Sequence, residues 1–258
     1  MTIYQHYREE EHLFVDQILS MKEQVERNYL YRVTDFLNPR EQQIVKQLIG
    51  ENNEEWQLKF FGGNEYTERK KAIIAPFYED ITKDDFEISL LEATYSEKFI
   101  SLSHRDVMGA FLSLGIERNQ LGDIYVGNDI IQIVTSEDIA PFVMSHLTSI
   151  KNANVQLHTG PLSRLLIEQP NWKTFERTVP SLRFDAMLKA IYNLSRKDAS
   201  SLIKRKHARI NHKTVEDAAY IVEAEDLISV RGKGRSKFIR ENGLSRKGRI
   251  RVTVAILK

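Results

Sequence analysis

From Ser181 to Lys213 the chain reads SLRFDAMLKAIYNLSRKDASSLIKRKHARINHK, and its apolar residues fall at spacings that few folds satisfy. Leu182, Met187, Leu188, Ile191 and Leu194 recur at helical spacing, so one side of a first helix faces a core and the other carries polar groups. Ser195 ends that helix and opens a second. A serine N-cap with Asp198 three residues on satisfies amides that a first helical turn leaves orphaned. The second helix runs to about Arg205, and a short strand follows from Ala208 to Asn211. Its end is crowded with Lys204, Arg205, Lys206 and His207, and Arg209 lies on the strand. The helix dipole rewards such cations by a few tenths to ~1 kcal/mol, too little to account for so many. A phosphate backbone accounts for them better.

The distribution of charge along the chain supports that reading. Residues 181–258 hold 19 Lys and Arg against 8 Asp and Glu, a net of +11, whereas residues 1–180 hold 18 against 28, a net of −10. A chain of formal charge +1 therefore joins a strongly basic C-terminal part to an acidic body, the electrostatic footprint of a nucleic-acid binder. With no cysteine, disulfides and thiolate metal sites are excluded, and no metal or other cofactor is expected. The charged start, MTIYQHYREEEHLF, does not read as a signal peptide, and no apolar run reaches the ~18 residues of a membrane span, so cytoplasmic residence is expected.

Three domains are expected in an α+β arrangement. Residues 1–75 read as an α-rich module: Leu13, Phe14, Ile18, Met21 and Val25 lie on one helical face, and Asn38-Pro39 opens a second helix that ends at Gly50. Trp56 to Phe61 alternates as a strand, Gly62-Gly63-Asn64 reads as a turn, and Glu68-Arg69-Lys70-Lys71 is a local basic spot, a solvated helix end or an RNA contact. Residues 76–165 follow the order β-α-β-β-α-β: Phe86 to Tyr95, His104 to Leu114, Asp123 to Val126, Ile130 to Thr135 after Gly127-Asn128-Asp129, Ser136 to Leu147, and Val155 to His158. That is the order of a ferredoxin-like or RRM-like fold. Its central strand carries Ile130, Ile131, Gln132, Ile133 and Val134 where base-stacking aromatics would stand. Residues 163–180, with Pro170 and Pro180, read as a linker to a third domain at 181–258, whose strands are expected at Leu227–Arg231, Ser236–Arg240 and Arg249–Leu257. Two strings invite over-reading. Ser103-His104-Arg105-Asp106 has the letters of a kinase loop but the spacing of a capping box, and Arg231-Gly232-Lys233-Gly234-Arg235 is a basic hairpin turn.

Leu182-Arg183-Phe184-Asp185, Ser195-Arg196, Leu202-Ile203 through Arg209-Ile210-Asn211-His212, and Glu225-Asp226-Leu227-Ile228-Ser229-Val230 together resemble the small RNA-binding domain first known from the fourth protein of the small ribosomal subunit, the S-four domain. Lys206, His212 and Glu225 stand where that family carries glycine, so these turns either tolerate a positive φ or take another course. The RNA-binding residues expected from this match and from the charge pattern are Arg183, Arg196, Lys197, Lys204, Arg205, Lys206, His207, Arg209, Asn211, Lys213, Arg231, Lys233 and Arg235.

The whole layout, with Phe60-Phe61-Gly62-Gly63, Glu68 through Pro76, and His104-Arg105-Asp106 through Gly122-Asp123-Ile124, resembles the bacterial YlmH family. The resemblance implies a non-enzymatic protein that binds rRNA or peptidyl-tRNA on the large ribosomal subunit, in quality control or translation, with genes that neighbour cell-division genes. Two alternatives are an RNA-modifying enzyme of the pseudouridine synthase kind and a cell-division accessory protein acting by protein contacts. The sequence holds no G-R-L-D catalytic loop, no glycine-rich S-adenosylmethionine turn and no synthetase signature, so no catalytic residue is assigned.

Overall fold

The computed structural model describes residues 3–50, 55–96, 100–127, 129–167 and 169–257, which fall into two compact units, Met1–Glu168 and Gln169–Lys258. In the first unit, α1 (His12–Asn28) buries Val15, Ile18 and Val25. Leu13, expected on that face, is 84% exposed, because it lies two residues, roughly 200°, from Val15 around the helix. Glu9–Glu11 form a separate 3-10 turn ahead of α1. After β1 (Arg32–Val33), α2 (Pro39–Ile49) begins where expected: Asn38 Oδ1 accepts from the amides of Arg40 and Glu41, and Glu41 accepts from the Asn38 amide.

The N-terminal module, expected to be α-rich with one strand at Trp56–Phe61, holds three strands. β2 (Trp56–Phe61) and β3 (Lys71–Pro76) join β1 in an antiparallel sheet of order β1-β3-β2, whose central strand is buried throughout. Ala72 and Ile74 pack under α1 and α2. Ile73 and Ala75 point the other way, into a cluster with Ile81 and Phe86. Residues 1–75 and 76–165, expected as separate modules, thus share cores, and Phe36 packs with Leu90, Tyr125, Val134 and Leu165. The basic spot is neither a solvated helix end nor an open contact at Arg69 and Lys71. Arg69 donates to the carbonyls of Leu121 and Phe36, and Lys71 donates to that of Glu87 over the Phe36 ring; burial pushes both cations' pKa values down.

The strands β4 (Ile88–Thr94), β5 (Leu121–Gly127), β6 (Ile130–Ser136) and β9 (His158–Gly160) form an antiparallel sheet of order β5-β6-β4-β9. The helices α3 (His104–Leu112) and α4 (Ala140–His146) follow the expected order, and a small hairpin, β7 (Ser149–Ile150) with β8 (Ala153–Asn154), precedes β9. Asn128 lies outside the described residues, and Asp129 beside it has φ 58°. Ser103 and Asp106 cap α3 reciprocally, as their spacing predicts. Both helices pack on one face of the sheet, over Leu91, Ala93, Ile131 and Ile133. The other face is closed as well. Leu162, Leu165 and Leu166 lie across Leu90, Tyr125 and Val134, and Gln132 fastens this strap: its Nε2 donates to the Arg164 carbonyl and its Oε1 accepts from the Leu166 amide.

In the second unit, residues 172–179, expected within the linker, instead form an edge strand, β10 (Trp172–Val179). The unit continues with α5 (Phe184–Tyr192), α6 (Arg196–Lys204), β11 (Ala208–Ile210), β12 (Lys213–Thr214), β13 (Leu227–Val230), β14 (Gly234–Leu244) and β15 (Ile250–Leu257). The six strands are antiparallel in the order β10-β15-β14-β13-β11-β12. Both helices cover one face, burying Met187, Leu188, Ile191, Ala199 and Ile203 against Ile228, Phe238, Val252 and Val254. Among the described residues, no helix is long and apolar enough to cross a membrane.

Candidate nucleic-acid interface

The start of α5 is held from outside the helix. The amide of Phe184 donates to the Tyr220 carbonyl at 2.8 Å, that of Asp185 to Ala218, and Arg183 bridges Ile221, so the first-turn donors are satisfied by the 218–221 loop. This fixes Arg183 in extended backbone at the N-cap. Asp185, in the first turn of α5, is 3% exposed. Its Oδ1 accepts from Arg183 Nε at 3.2 Å and from the Ala186 amide at 2.9 Å, while Arg196 Nε stands 3.6 Å from Oδ2. Burial alone would raise its pKa, but the Arg183 hydrogen bond and charge, the Ala186 amide and the Arg196 charge bring it below the ordinary carboxylate value. Arg183 is held above its own ordinary value by the hydrogen bond to Asp185. One buried carboxylate therefore aligns two guanidiniums from successive helix starts. Arg196 remains 76% exposed, so its outer nitrogens can still grip a phosphate.

At the start of α6, Ser195 Oγ accepts from the Asp198 amide at 3.0 Å and donates to the Asp198 carboxylate at 2.6 Å. Lys197, Lys204 and Arg205 are exposed along this helix and its cap. The helix ends in a Schellman turn: the Lys206 amide donates to Ile203 and the His207 amide to Leu202. Lys206 occupies the left-handed position at φ 61°, exposed, with its Nζ 3.1 Å from Glu216; His207 beside it is half-buried. Asn211 and His212, at φ 47° and 64°, form the two-residue turn that closes β11 on β12, and Glu225 has φ 73°. All three positions where glycine would be usual are thus left-handed with a side chain in place.

The expected residues fall into groups. Arg183 and Arg196 meet at Asp185. The exposed Arg231 and Lys233 of the β13–β14 turn join the Lys204–His207 end, because the Arg231 amide donates to the His207 carbonyl. Arg209 and half-buried Arg235 both register with Ser229 on the sheet, and Lys213 is exposed on β12. Asn211 stands apart, since its side chain is occupied: Nδ2 donates to Asp226 and Oδ1 accepts from the Leu227 amide. Asp185 belongs to the Leu182–Asp185 motif but not to the expected RNA-binding residues, although an acid two residues after Arg183 at a helix start is a signal for it.

The family model described as "Putative RNA-binding domain in YlmH" matches residues 82–164, the strapped sheet and its helices. Over 251 residues the chain is 38% identical to "Ribosome-associated protein quality control protein P2" of Bacillus subtilis (strain 168), covering 97% of each sequence. It also resembles the solved structure of the "Cell division protein ylmH from Streptococcus pneumoniae", with a TM-score of 0.56 and 27% identity over 64% of this chain and all of that one.

Proposed function

The chain belongs to the YlmH family, and from that premise we propose that it is a non-enzymatic cytoplasmic protein that binds rRNA and peptidyl-tRNA on the large ribosomal subunit in translation quality control. The observation that carries this reading is the pair Arg183 and Arg196 aligned on buried Asp185 within the strongly basic second unit. That unit is read as an S-four domain: its helix-helix-strand order and its left-handed Lys206, His212 and Glu225 match that pattern at the positions of its glycines. The middle of the first unit is read as RRM-like. Its strap occupies the sheet face on which such domains stack bases, so its contribution to RNA binding is made by other surfaces or by holding the fold.

The test is sedimentation of cell lysate through a sucrose gradient. The chain is expected to travel with large subunits and to leave them after RNase treatment, and the variant Arg183→Gln/Arg196→Gln, checked for folding by circular dichroism, to travel with them less. Co-sedimentation that survives RNase treatment would overturn the reading.

A further inference from the structure

The helices of the second unit cover one face of its six-stranded sheet, and among that unit's own described residues no helix lies on the other. Register shows which side chains stand there. Arg209 pairs with Ser229 and Ser229 with Arg235; Lys237 pairs with Ala255; Arg240 pairs with Thr253 and Thr253 with Glu176; Arg251 pairs with Thr178. Directly paired residues of an antiparallel sheet share a face, and these alternate with the core residues Ile210, Ile228, Phe238, Val252 and Val254. The uncovered face thus carries five cations on three strands, Arg209 on β11, Arg235, Lys237 and Arg240 on β14, and Arg251 on β15, against Glu176 among the paired positions. Arg251 is 3.2 Å from Glu176, and Lys237 contacts Glu225 from a neighbouring turn. Threonine and serine hydroxyls stand between the cations, and Ser229 Oγ, between Arg209 and Arg235, is shielded from solvent with no hydrogen-bond partner in the protein. Trp172, paired with Leu257 at the sheet's corner, is the aromatic residue on this face.

Resting on the reading of the chain as an RNA binder, we propose that this helix-free face is a second RNA-binding surface, which takes the phosphodiester backbone of an RNA segment other than the one gripped at Arg183 and Arg196. Guanidiniums spaced along neighbouring strands suit phosphates, and the hydroxyls between them suit phosphate oxygens and 2′-hydroxyls. A face with one corner aromatic offers little base stacking, so binding here is tolerant of sequence. Arg209 and Arg235 lie on the sheet's far side from the helix layer, which assigns them to this second surface rather than to a single continuous edge. The unit then tethers two RNA segments, one on each layer.

The experiment uses the full chain, a fluorescein-labelled RNA hairpin of unrelated sequence, and titration to saturation at several salt concentrations. Wild type is expected to bind two hairpins per chain. Arg209→Gln/Arg235→Gln/Arg240→Gln is expected to bind one, with the summed salt slope smaller by about two to three units. Arg183→Gln/Arg196→Gln is expected to lose the other hairpin and retain this one. If the triple glutamine variant is misfolded by circular dichroism, the triple lysine variant replaces it and is expected to keep two hairpins at a weakened second site. Wild type saturating at one hairpin, with a salt slope that the triple variant leaves unchanged, overturns the second surface while the proposed function stands, and assigns the face to an acidic protein partner. Wild type binding no RNA overturns both.

Discussion

Arg196 holds its Nε 3.6 Å from Oδ2 of Asp185, a carboxylate 3% exposed whose other oxygen accepts from Arg183. The geometry makes Asp185 a positioning residue for both guanidiniums. Asp185→Asn is expected to lower RNA affinity as far as loss of one arginine does, and to cost about 1–2 kcal/mol of stability by leaving two cations without their counter-charge. Thermal melts and RNA titration of the same sample check both. The pH dependence has a definite sign. A carboxylate depressed in the folded state contributes stability above its ordinary value, and that contribution disappears as pH falls through the lower folded value. The difference in stability between wild type and Asp185→Asn is therefore expected to shrink below about pH 4. A difference independent of pH would show that the pair contributes through packing alone.

Arg183→Ala is expected to lower the melting temperature more than Arg196→Ala. Arg183 makes the shorter contact to Asp185 and is 39% exposed at the side chain, against 76% for Arg196. Parallel melts of the two variants decide it, and equal losses would contradict the geometry.

Lys206→Gly is expected to stabilise the chain by about 1 kcal/mol, because glycine adopts φ 61° without the penalty that a Cβ brings. The half-exposed ion pair to Glu216 returns at most a few tenths. RNA affinity is expected to fall, with the salt slope reduced by about one unit. An unaltered slope would remove Lys206 from the RNA edge.

Asp106 is expected to titrate at about 2, held down first by the hydrogen bond from Lys151, whose Nζ is 2.7 Å away, and then by the Ser103 hydroxyl and amide. Its capping contribution is thus fully present above the ordinary carboxylate value and lost only as pH falls through about 2. In Lys151→Met the titration measured by NMR is expected to move up toward the ordinary value, and an unmoved midpoint would assign the depression to Ser103.

Gln132→Leu tests the strap. It orphans a Glu92 oxygen, the Arg164 carbonyl and the Leu166 amide, all buried or half-buried, and is expected to destabilise the first unit by about 3 kcal/mol. RNA affinity under folded conditions is expected to stay unchanged. Tighter RNA binding in the variant would mean that the strap masks a binding face rather than completing a core.

What could be read from the sequence was what is local. Asn38 with Glu41, Ser103 with Asp106, and Ser195 with Asp198 each announce a helix start within four residues, and each cap is present. The misreadings are long-range. Trp172–Val179 looks like a linker between prolines because its partner, Ile250–Leu257, lies more than 70 residues away. Arg69 and Lys71 look like surface charge because the carbonyls they satisfy belong to Phe36, Leu121 and Glu87. The strap has no local signature, since Leu162, Leu165 and Leu166 acquire meaning only once Gln132 is placed opposite them. At the candidate interface, charge and motif indicated the basic residues, but the division of Arg183 and Arg196 from Arg209 and Arg235 onto separate layers required the sheet register.

β15, the last strand of the second unit, is not an edge: it runs between β10 and β14, pairing Val179 with Ile250 at one end and Trp172 with Leu257 at the other. During synthesis, the sheet therefore stays open along two facing edges until residues 250–257 have left the exit tunnel. Helices α5 and α6 can form early, but the layer beneath them closes only when that final segment inserts. A newly made copy acquires its complete uncovered face only once residues 250–257 have inserted between β10 and β14.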